Sequence, residues 1–257
     1  MRLGRDLGCP ETTGNTCLRV GSASVAHRPQ PEQQAPPVQR LRVKYAKRGR
    51  ARFTSHRDFG RAFERALRRA GVPMAYSSGF SPHPRISYAN ASPTGAASEA
   101  EYLEIGLAES CEPERVRAAL DAALPPGLDI VEVVAAPPGA LADLLTGSRW
   151  HVAIVGVQPE VLVGAVAAFL AEEVVPVERM TKNGLRGFDA RGAVVSIETD
   201  PSGLVVTLAH QVPLVRPDDV LAALHALTPE FDPAEIPILT RLTQGRLDPE
   251  TGDIAEP

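Results

Sequence analysis

Between Ser55 and Gly71 the sequence sets Phe59, Ala62, Phe63, Ala66, Leu67 and Ala70 on a single helical stripe. Ser55 stands where a helix N-cap belongs, and Asp58 three residues on completes a capping box. Gly71, with Pro73 behind it, predicts the end of the helix. A helix with so narrow an apolar face needs a surface to lie on, and the flanking sequence supplies one. Upstream, Leu41, Val43 and Tyr45 alternate with Arg42 and Lys44 at the period of a strand. Downstream, residues 75–91 read as a strand broken by a Gly-Pro loop, and the run AEYLEIGLAE alternates again. Pro113 to Leu124 forms a second amphipathic helix with Val116, Ala119, Leu120 and Ala123 on one side, and LDIVEVVAA closes the series.

The order is β-α-β-β-α-β. Two crossovers laid side by side give a four-stranded antiparallel sheet with both helices on one face, a ferredoxin-like module. The order recurs in part. Trp150 to Val157 reads as a strand, Glu160 to Glu173 as a helix and Val174 to Arg179 as a short edge strand. A Gly-rich basic loop follows, then strands at Ala193 to Thr199 and Leu204 to Val212, a helix at Pro217 to Leu227 and a strand at Ile236 to Leu242. The expected fold class is α+β: two tandem ferredoxin-like (βαββαβ) modules, residues 39–137 and 148–243, the second embellished. Residues 1–38, rich in Pro, Gln and Gly and without periodicity, are expected to be a disordered tail, with the working protein beginning near Val38. Residues 244–257 are expected to be an acidic tail.

Several function classes fall away. No apolar run reaches the roughly 18 residues of a membrane span, and the first residues lack a secretory pattern. Cys9, Cys17 and Cys111 give no disulfide framework, so a reducing cytoplasm is expected. There is no phosphate-binding G-x-x-x-x-G-K-[ST] or G-x-G-x-x-G run and no H-E-x-x-H or Cys/His quartet. There is no G-x-S-x-G elbow either. No cofactor and no metal are expected.

Charge is what remains. The net charge is -4, yet between Arg40 and Arg85 thirteen basic residues face only Asp58 and Glu64, so the local balance is +13 − 2 = +11. Such asymmetry points to a polyanionic partner. Four groups of residues carry the expectation. Arg57, Arg61 and Arg68, with Arg65 and Arg69 beside them, lie opposite the apolar stripe of the first helix. Lys47, Arg48, Arg50 and Arg52 lead into His56 at a positive helix end. Phe80, His83 and Arg85 occupy a Pro-stiffened loop, where an aromatic ring can stack on a base. Lys182, Arg186 and Arg191 belong to the Gly-rich loop, whose Gly184-x-x-Gly187 spacing fits either a backbone clamp or a plain β-turn. Glu99, Glu101 and Glu104 are expected to point outward into solvent. His56 and His83 are the alternative candidates for acid–base catalysis.

The run from Phe53 to Leu107 resembles the radical-SAM-associated (radical-SAM-linked) bacterial family, whose domain is of unknown function. The likeness extends from Val38 to about Leu242. It rests on Ser55-His56, Glu64-Arg65, Arg68-Arg69-Ala70-Gly71, Tyr76-Ser77, Gly79-Phe80, Pro82-His83-Pro84, Pro93-Thr94-Gly95, Ser98-Glu99-Ala100-Glu101-Tyr102 and, further on, Asp189-Ala190-Arg191. Ser78 departs from the pattern, where the family often has a longer polar residue. The resemblance implies a genomic setting beside radical S-adenosylmethionine proteins, ribosomal proteins and a ribonuclease. The function expected is therefore a non-catalytic RNA-binding accessory protein serving a separate radical S-adenosylmethionine enzyme. The alternatives are a metal-independent endoribonuclease, whose fold would be similar to CRISPR repeat-processing enzymes, and a pure protein-interaction subunit.

Overall fold

The computed structural model describes residues 33–181 and 184–257. The first alternating run becomes strand β1 (Gln39–Lys47). A 3-10 turn over Gly49–Phe53 leads into helix α1 (His56–Arg69). Strands β2 (Ile86–Ala89) and β3 (Ala97–Leu107), helix α2 (Pro113–Ala123) and strand β4 (Leu128–Ala135) follow. All pairings among these strands are antiparallel, in the spatial order β4-β1-β3-β2. Each helix thus returns the chain to a strand parallel to the one it left, with a third strand between them.

A short helix α3 (Leu141–Leu144) connects to strand β5 (Gly147–Ala153) and helix α4 (Pro159–Ala171). Then come β6 (Pro176–Thr181), β7 (Gly184–Asp189), β8 (Val194–Asp200), β9 (Gly203–Ala209), helix α5 (Pro217–Leu227), β10 (Ile238–Leu247) and β11 (Ile254–Ala255). The order here is β10-β5-β9-β8, again antiparallel throughout. Strands β6 and β7 form a separate two-stranded sheet. A short parallel pairing of β10 with β3, through Thr240 on Ala97 and Arg241 on Ser98, joins the two groups. The result is a mixed α+β fold around one nine-stranded, mostly antiparallel sheet. No helix among the described residues is long and apolar enough to cross a membrane.

Each half keeps its own core. In the first, Leu41, Val43, Leu103 and Ile105 meet Phe59, Phe63, Leu67 and Leu120. In the second, Trp150, Val152, Val206 and Leu208 meet Leu162, Phe169, Val220 and Leu224. The alternate residues Ala100 and Tyr102 of β3 point the other way and are covered by Leu141 and Leu145.

Several expectations are corrected. The sequence after Gln244 is not a free acidic tail. β10 runs on to Leu247, and β11 folds back on Arg246 and Leu247. Gln244 is fully buried, donating from Nε2 to the Ala100 carbonyl at 2.6 Å. Glu256 comes back to hold Lys44 at 2.6 Å. At the other end residues 1–32 lie outside the described residues, whereas Gln34 and Val38 are tied down. Their amides donate to Ser78 Oγ at 2.9 Å and to the Leu107 carbonyl at 2.8 Å.

Glu101 and Glu104 are buried, not solvated, at 2% and 3% exposure. Both accept from buried arginines. Glu104 holds Arg42 at 2.8 Å and also Arg40. Glu101 holds Arg241 at 2.8 Å and takes the Ser92 amide at 2.9 Å. Two unlike charges desolvated together avoid the cost of an isolated buried ion. Glu99 alone of the three stays near the surface, on Arg48.

The Glu101–Arg241 pair sits where the halves meet. Arg241 also donates to the Asn90 carbonyl at 2.7 Å and lies 4.6 Å over the Trp150 ring. Trp150 Nε1 donates to Ser148 Oγ at 2.9 Å, and Ser148 Oγ lies 2.9 Å from His210 Nε2. His210 Nδ1 is 2.6 Å from the Leu145 carbonyl. A carbonyl only accepts, so Nδ1 carries the proton and Nε2 accepts from the serine. Burial, with Arg241 nearby, pulls His210 below its ordinary 6.5, against the carbonyl's opposing effect. The unfolded chain therefore takes up a proton near pH 6.5 that the folded chain refuses. Stability contributed by neutral His210 is present above that pH and lost as pH falls through it. The melting temperature should drop on acidification from pH 7.5 to 5.5, and the drop should be smaller in His210→Gln. Equal pH slopes in the two proteins would refute the assignment.

Candidate functional site

Helix α1 forms because its start and its end are both satisfied locally. Ser55 Oγ accepts the Asp58 amide at 3.2 Å, and the Asp58 carboxylate takes the Ser55 hydroxyl at 2.7 Å. At the end the Val72 amide reaches the Leu67 carbonyl and the Gly71 amide the Arg68 carbonyl. This double closure needs the left-handed Gly71, at φ +65. The apolar stripe then fixes which way the helix faces. Phe59, Phe63, Ala66 and Leu67 are buried. The Phe59 ring stacks on Tyr45 at 4.3 Å and on Phe63 at 5.6 Å. With that side locked down, Arg57, Arg61, Arg65, Arg68 and Arg69 are all exposed. The row is about 18 Å long at ~1.5 Å per residue.

The row is poorly neutralised. Asp58 lies 3.9 Å from Arg61 and Glu64 3.6 Å from Arg68, both at exposed positions. Pairs of this kind contribute roughly 0–1 kcal/mol. Arg57, Arg65 and Arg69 have no acidic partner among the described residues. Like charges one turn apart destabilise a helix, so the aromatic packing beneath must hold the row in place.

The other sequence candidates divide. Lys47 is a buried group, 5% exposed, donating to the Pro93 carbonyl at 3.3 Å. Burial lowers its ammonium from the usual value, with Glu101 opposing. It belongs to the junction and not to the surface, because β1 continues through Lys47. Arg48 is exposed but held by Glu99 and by Asp129, the latter at 2.9 Å. Arg50 is exposed, and Arg52 lies over the Phe53 ring at 4.6 Å. Gly127 keeps this corner tight, since a Cβ there would fall 2.7 Å from the Arg48 carbonyl oxygen.

His56 is exposed, edge-on to Tyr88 at 4.9 Å. Phe80 is 69% exposed, on a loop closed by the Ser77 amide to the His83 carbonyl at 2.9 Å. His83 and Arg85 are exposed beside it, and Arg85 Nε donates to the Tyr76 carbonyl at 3.1 Å. This loop leaves the C-terminal end of α1, while Tyr88 of β2 touches its start.

The Gly-rich loop is a hairpin. Arg186 is exposed on β7, and Lys182 lies outside the described residues. Arg191 is not a surface group. It donates to the Val194 carbonyl at 3.1 Å and leans over Phe169 at 5.8 Å. Asp189 before it accepts the Val175, Arg191 and Gly192 amides, each at 2.9 Å. The Asp-Ala-Arg run is thus a structural turn. Among the described residues no cluster of three or more His, Cys, Asp or Glu side chains is placed to hold a metal ion.

Sequence reasoning missed two exposed aromatics, Phe53 at 59% and Tyr76 at 39%. Phe53 ends the run RARF, just before the cap of α1. An aromatic at the close of a basic run was the signal that could have found it. The junction cleft of ≈ 70 Å³ lined by Asn90, Trp150, His210, Arg216 and Arg241 was also missed. No local motif marks it.

A family model described as "Uncharacterized protein conserved in bacteria (DUF2344)" matches residues 40–217. No curated protein matches the chain. Among solved structures, one described as the crystal structure of an unknown protein from Galdieria sulphuraria is 17% identical, with 79% of this chain and 98% of that one aligned. Its TM-score of 0.24 is too low to carry an argument.

Proposed function

The chain belongs to the DUF2344 family of uncharacterized proteins conserved in bacteria, and from that premise we propose an RNA-binding accessory protein of the cytoplasm that acts with a separate radical S-adenosylmethionine enzyme. The observation that carries the RNA half of the reading is the outer face of α1. Five exposed arginines run along it, relieved among the described residues by two weak acid contacts. A phosphate backbone would supply the missing counter-charge, and release of its condensed ions would favour binding. Arg50, Arg52, His56, Phe80, His83 and Arg85 extend the same surface at its two ends. The enzyme half rests on the sequence resemblance to radical-SAM-associated proteins. We also read the architecture as two tandem ferredoxin-like modules, supported by the strand order that recurs in the two halves.

Crosslinking RNA to the tagged full-length protein in cells, with co-purified proteins identified, tests both halves. RNA and a radical S-adenosylmethionine protein should be recovered together. Purified protein incubated with that RNA in EDTA should leave it intact. Cutting that disappears in His56→Ala or His83→Ala would replace the accessory role with a metal-independent nuclease. Recovery of an acidic protein and no RNA would replace it with a protein-interaction subunit.

A further inference from the structure

A helix on the surface of a fold turns charged or polar residues to water, and one that is apolar all round is normally buried. Helix α4 departs from this. From Val161 to Ala171 it holds no polar side chain. Leu162, Ala165, Val166 and Phe169 fill the core of the second half. The opposite side nonetheless stands in water. Val163 is 53% and Leu170 41% exposed, and Gly164, Ala167 and Ala171 are exposed beside them. At 3.6 residues per turn these five share about a third of the helix circumference, so they form one continuous face. A Cβ added at Gly164 would meet no atom within 4 Å. The helices of the first half behave otherwise: α1 turns Arg61 and Arg65 outward, and α2 turns Glu114, Arg115 and Asp121.

The apolar face has an acidic frame. Glu160 at its start and Glu172 and Glu173 at its end are exposed, with no basic partner among the described residues. From Trp150 to Glu178 the chain has Glu160, Glu172, Glu173 and Glu178 and no lysine or arginine. We infer that the outer face of α4 docks a helix of another protein, whose apolar seam packs on Val163, Ala167 and Leu170 and whose flanking lysines or arginines meet the three glutamates. The inference uses the other half of the molecule from the arginine row and does not depend on the RNA reading. A helix docked in this way is recognised through anchors at helical spacing, and the small residues Gly164, Ala167 and Ala171 let its backbone come close. Charge decides among the occupants. Two copies of α4 face to face would set glutamate against glutamate whichever way the helices ran, and like charges in an interface are costly. RNA and an anionic lipid surface carry the same sign as the frame. A helix with basic flanks matches apolar to apolar and base to acid.

A benzophenone amino acid in place of Val163 or of Leu170, in the full-length protein and in the cells it comes from, tests this, with the crosslinked peptide identified by mass spectrometry. Both positions should capture the same segment of another protein, apolar at helical spacing and with lysine or arginine at both ends of that seam. A synthetic peptide of the segment should bind the purified protein. Val163→Glu and Leu170→Glu should each weaken it about tenfold or more, the scale of one apolar side chain lost from a contact, at an unchanged melting temperature. If Leu170→Glu lowers the melting temperature, Glu172→Lys with Glu173→Lys gives a second reading. That variant should weaken the same peptide and should accept a version of it whose basic flanks are changed to glutamate. Capture of a second copy of this chain or of lipid, a captured segment with acidic flanks, or no crosslink from either position would overturn the inference. So would a peptide indifferent to all of these variants. RNA affinity should be the same in every one of them, so the two readings fail separately.

Discussion

Replacing Glu101 with alanine should destabilise the protein by about 3–5 kcal/mol, far more than any surface change. The carboxylate is 2% exposed and is the counter-charge of Arg241, itself 3% exposed. Without it the guanidinium stays buried against Trp150 with the Asn90 carbonyl as its neighbour, and the Ser92 amide loses its acceptor. Burial already pulls Arg241 down from its ordinary value, and Glu101 is the main opposing influence. The pair also bridges β3 of the first half and β10 of the second, so its loss should loosen the union of the two. Urea unfolding checks this. Wild type should unfold in one transition, and Glu101→Ala should unfold at much lower urea or in two steps. The double change Glu101→Leu with Arg241→Met should recover most of the loss, since a buried ion pair often exchanges with apolar residues at little cost. A single variant within 1 kcal/mol of wild type would mean that water already reaches the pair.

Reversing Arg61 and Arg68 to glutamate should leave the fold intact and remove most RNA affinity. Each phosphate contact to a single strand contributes about 0.7 to the salt slope. Two lost contacts should therefore flatten the log–log slope by about 1.4 and weaken binding roughly 25-fold near 0.1 M salt, with charge reversal adding to this. Both side chains are more than half exposed, at 58% and 69%, and lie opposite the buried stripe. Melting temperature should hardly move. A titration series across salt concentrations reads both quantities. Unchanged affinity and slope in a folded double variant would place the RNA elsewhere and sink the helix-face reading.

How much of this was legible in the chain depends on how far apart the deciding residues lie. Helix α1 could be read from its cap, stripe and terminal glycine because all its determinants sit within one run of residues. The exposed arginine face follows at once, since 3.6-residue periodicity places it opposite the stripe. The order of strands and helices in the first half was equally local, and so was that from β5 to β10 apart from β7, whose residues read as a Gly-rich loop. The glutamates of β3 were not. Glu101 and Glu104 differ in parity, so on a regular strand they cannot share one outward face. Their partners are Arg42 on β1 and Arg241 on β10, the latter 140 residues away. Only the pairing of β3 with β10 brings that charge to Glu101. The same applies to Lys47, which a count of basic residues assigns to the surface and the junction draws inside. The C-terminal segment is another such case, since Gln244 of β10 rests on Ala100 and Glu256, just past β11, on Lys44. Local periodicity determined the elements and the cationic face. Which charges are paired and buried, and therefore not available to a polyanion, was decided by contacts between distant strands, whose cost and gain no local pattern encodes.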